Sequence, residues 1–142
     1  MTINKKTDDL KISSTRELIT PLSLITEIPM SDRATQTVVD SRHQIANIIH
    51  KEDKRLLIIV GPCSIHNEEA ALDYAEKLMK LKKDVESNIF IVMRVYFEKP
   101  RTVLGWKGLI NDPDLDNSFN INKGIKKARK LLLDLAEMGM PA

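Results

Sequence analysis

The chain has 142 residues, 42% hydrophobic, 30% charged and only 4% aromatic, which fits one modest soluble domain. A formal net charge of +2 is too small for the footprint of a nucleic-acid binder, and a single cysteine excludes an internal disulfide framework and fits a reducing compartment. No apolar run approaches the ~20 residues of a membrane span, and the polar start Met1–Leu10 lacks a signal-peptide core, so the expected address is the cytoplasm.

Residues 1–19 show little periodicity and read as an arm. Thr20 and Pro21 suit the N-cap and first position of a short helix through Glu27, stopped by Pro29. Ser31 caps a longer helix to about His50, in which Ala34, Val38, Ile45 and Ile48/Ile49 recur at helical spacing. Leu56-Leu57-Ile58-Ile59-Val60 is continuously apolar, the pattern of a strand covered on both faces in a parallel sheet. Gly61-Pro62 ends it. Asn67 then caps a helix over roughly 68–84, with Ala71, Ala75, Leu78 and Met79 inward. After a turn at Ser87-Asn88, Ile89–Met93 is a second continuous strand. A loop rich in Gly, Asn, Asp and Pro runs from about Glu98 to Asn122. A last helix is expected over roughly 123–138, with Ile125, Ala128, Leu132 and Leu135 inward and Gly139 as its stop.

Strand, helix, strand, loop and helix in that order open an α/β protein with parallel strands. A closed (β/α)8 barrel needs about 250 residues, and two strands do not close one. The expected fold is therefore the first part of a (β/α)8 TIM barrel with an N-terminal extension, incomplete in this chain. Residues 1–50 are the extension, an arm and helices. Residues 51–142 are the first two βα units, ending at Met140-Pro141-Ala142, where a third strand is expected to begin.

Functional groups in such folds gather at the C-terminal ends of the strands. Cys63 sits there after the Gly-Pro turn, either as a small buried hydrophobe or as a thiolate that ligates a metal or attacks an electrophile. His66 either joins that site or caps the following helix. Beyond the second strand, Arg94, Lys99 and Arg101 place three cations within eight residues, and Thr102 adds a hydroxyl. Arg94 at a strand end needs an anion, from an internal carboxylate or from a ligand. Pro100 stiffens the backbone between Lys99 and Arg101. Arg offers a two-pronged fork for phosphate or carboxylate, and Lys a point charge. The competing reading is an ion-pair network with Glu98, Asp112 or Asp116. Trp106 reads as packing, and Gly105 and Gly108 as permitting a tight loop. The basic run Lys126, Lys127, Arg129 and Lys130 reads as the solvated face of the last helix.

GPCSIH at 61–66, MRVYFEKPRT at 93–102, GWKGLINDPDLDNSFNIN at 105–122 and ARKLLLD at 128–134 resemble class I DAHP synthases of the aromatic-feedback-regulated type, as does DDLKI at 8–12. The resemblance implies condensation of phosphoenolpyruvate with erythrose 4-phosphate, the first step of the shikimate pathway to chorismate and the aromatic amino acids. It implies a (β/α)8 barrel and a divalent metal ion (Mn, Fe, Co or Zn) held by Cys, His, Glu and Asp. On that resemblance Cys63 matches the metal-ligand cysteine, and Arg94 an arginine that grips phosphoenolpyruvate. Lys99 matches a catalytic lysine reaching phosphoenolpyruvate and the metal site. Pro100, Arg101 and Thr102 match the element that holds erythrose 4-phosphate, and His66 matches a histidine near the site. Asp8 and Asp9 fall in the arm that would help bind an aromatic amino acid as feedback inhibitor, in a homo-oligomer. The other metal ligands are absent, so residues 1–142 alone are expected to be inactive. Two alternatives stand beside this one. A KDO 8-phosphate synthase-like enzyme would use a five-carbon sugar phosphate, but it resembles KANRSS where this chain has KPRT. A non-catalytic half-domain would fold only on a partner chain.

Overall fold

A computed structural model describes residues 8, 10–12, 14–99 and 105–142. Four helices and two strands follow in the order α1 (Pro21–Glu27), α2 (Asp32–Ile49), β1 (Leu56–Val60), α3 (Glu68–Val85), β2 (Ile89–Met93) and α4 (Ile121–Glu137). The helix starts have the expected chemistry. Thr20, Ser31 and Asn67 each accept a first-turn amide, from Ser23, Ala34 and Ala70. On α3, Glu68 and Glu69 in the first turn and Lys82 and Lys83 in the last complement the helix dipole.

β1 and β2 pair in parallel, Leu56 opposite Ile89 through Val60 opposite Met93. Two parallel strands need a crossover, and α3 provides it, packing on β2 and on α4. α2 packs on α4 and more lightly on β1. The core gathers Ile65, Ala71, Ala75, Leu78, Ile91, Met93, Leu109, Leu131, Leu135 and Met140.

Three expectations need correction. Continuous apolar sequence is matched by burial on β2 but not on β1, where Leu56 is 60% and Ile59 64% exposed. β1 has β2 along one edge, no described strand along the other and only light packing by α2, so much of its apolar surface stays exposed. The last helix starts two residues early, because Asn120 is its cap, accepting Lys123 N–H at 3.3 Å. Its buried stripe is Gly124, Ala128, Leu131 and Leu135, and Leu132 is 39% exposed. Gly124 explains the rotation: a Cβ there would lie 2.1 Å from the Ile110 carbonyl oxygen, so the helix seats its bare backbone on the preceding loop. The run Leu131-Leu132-Leu133 offers alternative apolar faces and does not reveal which is chosen.

The β2 edge away from β1 is not bare. Alternate amides of a strand point to opposite edges, and while Arg94 N–H reaches Val60 O, Met93 N–H donates to Pro141 O at 2.7 Å. Met140 is buried behind it. The chain thus returns to the position a third parallel strand would take.

Candidate functional site

The two strand ends are drawn together by Gly61. A Cβ at that position would fall 2.4 Å from the Arg94 carbonyl oxygen, a contact only glycine permits. Beyond the strands the two segments stay together but leave the strand register, and Ile65 N–H donates to Tyr96 O at 2.7 Å. Across this seam the Arg94 guanidinium donates from one nitrogen to the carbonyls of Pro62 and Cys63, both at 2.6 Å. Its carbon lies 4.9 Å from the centroid of the Tyr96 ring.

Among the described residues no carboxylate pairs with Arg94 or with Lys99, so neither cation joins the alternative network with Glu98, Asp112 or Asp116 there. Carbonyl oxygens orient a guanidinium without neutralising it, so the positive charge at the strand end is left for another anion.

Lys99 is fixed by its backbone. A short antiparallel contact joins Glu98 to Gly108, Lys99 N–H donates to Lys107 O at 2.9 Å, and Leu109 N–H donates to Phe97 O at 2.8 Å. Gly108 permits the crossing: its φ is +127°, and a Cβ would meet the Phe97 oxygen at 2.1 Å. Trp106 packs against the core and donates its indole N–H to Asp112 O at 2.7 Å. Trp106 and the glycines therefore act as read from the sequence.

Cys63 is exposed on the rim beside Arg94, which overturns the buried-hydrophobe reading. His66 is also exposed and does not cap α3, since Asn67 does. Asp8 is exposed in the arm. Asp9, Pro100, Arg101 and Thr102 lie outside the described residues. Among the described residues no group of three His, Cys, Asp or Glu side chains forms a metal cluster. Cys63 offers one exposed soft donor, and a metal centre there would need further ligands.

Two buried side chains carry a polar atom without a partner among the described residues. Ser64 is 7% exposed and its hydroxyl has no partner among the described residues. Asp112 is 3% exposed; Oδ2 accepts Asn117 N–H at 3.2 Å, and Oδ1 has no partner among the described residues. Ser and Asp in a polar loop ordinarily signal solvent, so only tertiary contact reveals them. A groove of about 320 Å³ between α2 and α4 is lined by Met30, Val38, Ile45 and Leu133 among others, and by none of the expected site residues.

These features define a class: an α/β protein whose parallel strand ends present a thiol beside an arginine that has no carboxylate partner among the described residues, with a lysine farther along the same loop. The chain belongs to the DAHP synthetase I family, whose model matches residues 27–141. It is 50% identical over 140 residues to the Phe-sensitive phospho-2-dehydro-3-deoxyheptonate aldolase of Escherichia coli (strain K12), covering 99% of this chain and 40% of that protein. It is 52% identical over 136 residues to the Trp-sensitive enzyme of Enterobacter agglomerans, covering 96% of this chain and 39% of that one. The fold superposes on the solved phospho-2-dehydro-3-deoxyheptonate aldolase of Francisella tularensis SCHU S4 with a TM-score of 0.88 and 55% identity, over 92% of this chain and 38% of that one. The chain thus spans about 40% of the length of the curated relatives it matches.

Proposed function

We propose that the full-length protein carrying this chain is a DAHP synthase, joining phosphoenolpyruvate to erythrose 4-phosphate and water to give 3-deoxy-D-arabino-heptulosonate 7-phosphate and phosphate. The observation that carries this reading is the Arg94 guanidinium, oriented by carbonyls beside an exposed thiol and left without a carboxylate partner among the described residues. The aldolase names of the relatives support the activity. Residues 1–50 are proposed as the N-terminal extension and 51–142 as the first two βα units of a (β/α)8 barrel. The 2.7 Å return of Pro141 to the β2 edge supports continuation of a parallel sheet.

Arg94 would hold the phosphoenolpyruvate anion, with Lys99 contributing charge and moving a proton as C3 of phosphoenolpyruvate bonds to the aldehyde carbon. Pro100, Arg101 and Thr102 would hold the sugar phosphate, and His66 would stand beside them. A divalent metal with Cys63 as one ligand would supply Lewis acidity to the aldehyde oxygen. Water adds at C2 and phosphate leaves. Asp8 and Asp9 would take part in binding an aromatic amino acid, as the Phe-sensitive and Trp-sensitive names of relatives suggest. Among the described residues no helix is long and apolar enough to cross a membrane, and the cytoplasm is the proposed location.

Single-site kinetics test the division of labour. Arg94→Ala should mainly damage use of phosphoenolpyruvate and Arg101→Ala use of erythrose 4-phosphate. Each should lose about tenfold to a hundredfold in kcat/KM, the worth of one charge-assisted contact. Equal damage toward one substrate would remove the assignment.

A further inference from the structure

One stripe of α4 grips the N-terminal segment from end to end. Asn122 Oδ1 accepts Ile19 N–H at 2.9 Å, and its Nδ2 donates to Glu17 O at 3.0 Å. Lys126 pairs with Glu27 at 2.7 Å, Arg129 Nε donates to Ile28 O at 3.2 Å, and Glu137 accepts the Ser31 hydroxyl. Positions 122, 126, 129 and 137 share one helix face, and their partners advance along the chain in the same order. The basic run is therefore not merely a solvated face, since Lys127 also pairs with Glu68 at 2.9 Å.

Asn122 differs from the other three. It uses both ends of its amide and reads only backbone, as a neighbouring strand would. It also stands in the first turn of α4, where Gly124 lies directly against Ile110. The segment just before Ile110 pairs with the chain beyond β2: Leu109 N–H donates to Phe97 O, and Lys107 O accepts Lys99 N–H. Continuous close contact thus runs from the arm at residues 17–19, through Asn122 and Gly124, to the backbone of Lys99.

We propose that Asn122 is a positioning residue, clamping residues 17–19 to the first turn of α4 and thereby setting the loop that fixes Lys99. This rests on the reading of Lys99 given above. A chain of contacts is not yet coupling, so the test must read both ends separately. In the full-length protein, hydrogen exchange would be followed at Ile19, Leu109 and Lys99 in Asn122→Ala and Asn122→Asp, with Leu131 and Leu135 as core controls.

Asn122→Ala should speed exchange about tenfold or more at Ile19 and also at Leu109 and Lys99, leaving the two leucines unchanged. Asn122→Asp retains the acceptor for Ile19 but loses the donor to Glu17 O, so it should restore protection in part, and to the same degree at all three sites. In the same variants, KM for phosphoenolpyruvate should rise and fall with Lys99 exchange. Faster exchange at Ile19 alone would overturn the proposal, as would faster exchange everywhere including α4. Coupled exchange in a protein that does not turn over the two substrates would leave Asn122 in its role and remove the enzymatic reading instead.

Discussion

Arg94 shows how a side chain is held in place without being used up. The 2.6 Å bonds to the Pro62 and Cys63 carbonyls fix the guanidinium across the seam, and the Tyr96 ring covers one side. Cys63 sits on that seam, so Arg94 also braces the backbone of the expected metal ligand. Cys63→Ser should therefore abolish tight divalent-metal binding in the full-length protein while leaving its far-UV signal unchanged. Metal titration yielding an unaltered affinity for the variant would remove Cys63 from the ligand set. The positions of Cys63 and Arg94 beyond the two strands were legible because continuous apolar runs mark where each strand ends. Asp112, Ser64 and Asn122 were not legible. Each is a short polar residue that suits solvent equally well; only burial singles out Asp112 and Ser64, and Asn122 meets its partner Ile19 across 103 residues.

At the scale of elements, the caps declared themselves. Thr20, Ser31 and Asn67 each precede an apolar period, and their oxygens take the first free amides as expected. α4 was misread by two residues at its start because Asn120 and Asn122 are both capable caps, and by one position in its stripe because a glycine, not an apolar residue, leads it. Helix and loop meet there backbone to backbone. Gly124→Ala should cost roughly 1–3 kcal/mol, because the neighbour that must give way is a carbonyl rather than a flexible side chain. Chemical denaturation of the full-length variant checks this. A stability within about 0.5 kcal/mol of the parent, the usual range for a surface change, would show that the loop yields freely.

For the whole molecule, the sequence made the parallel pair and its crossover plain but not the imbalance between the strands. β2 is enclosed by α3 on one face and touched by Pro141 on its far edge, whereas β1 leaves Leu56, Ile59 and Val60 at 60%, 64% and 36% exposure. Hydrophobic periodicity reports what a strand is built to bury, not whether its neighbours are present. An apolar face beside an open edge promotes association. Residues 1–142 expressed alone should be insoluble, or soluble and molten, binding a hydrophobic dye and showing helical far-UV signal without sharp tertiary signals. A cooperative monomer that binds metal tightly would instead favour a self-sufficient small protein. The central claim is the reaction, and its most direct test is product analysis by mass spectrometry. The purified full-length protein would be supplied with phosphoenolpyruvate, a divalent metal and either erythrose 4-phosphate or a five-carbon sugar phosphate. The account predicts a seven-carbon 3-deoxy sugar phosphate and matching phosphate release from erythrose 4-phosphate, both lost in Arg94→Ala. No product from erythrose 4-phosphate, or an eight-carbon product from the five-carbon sugar, would contradict it.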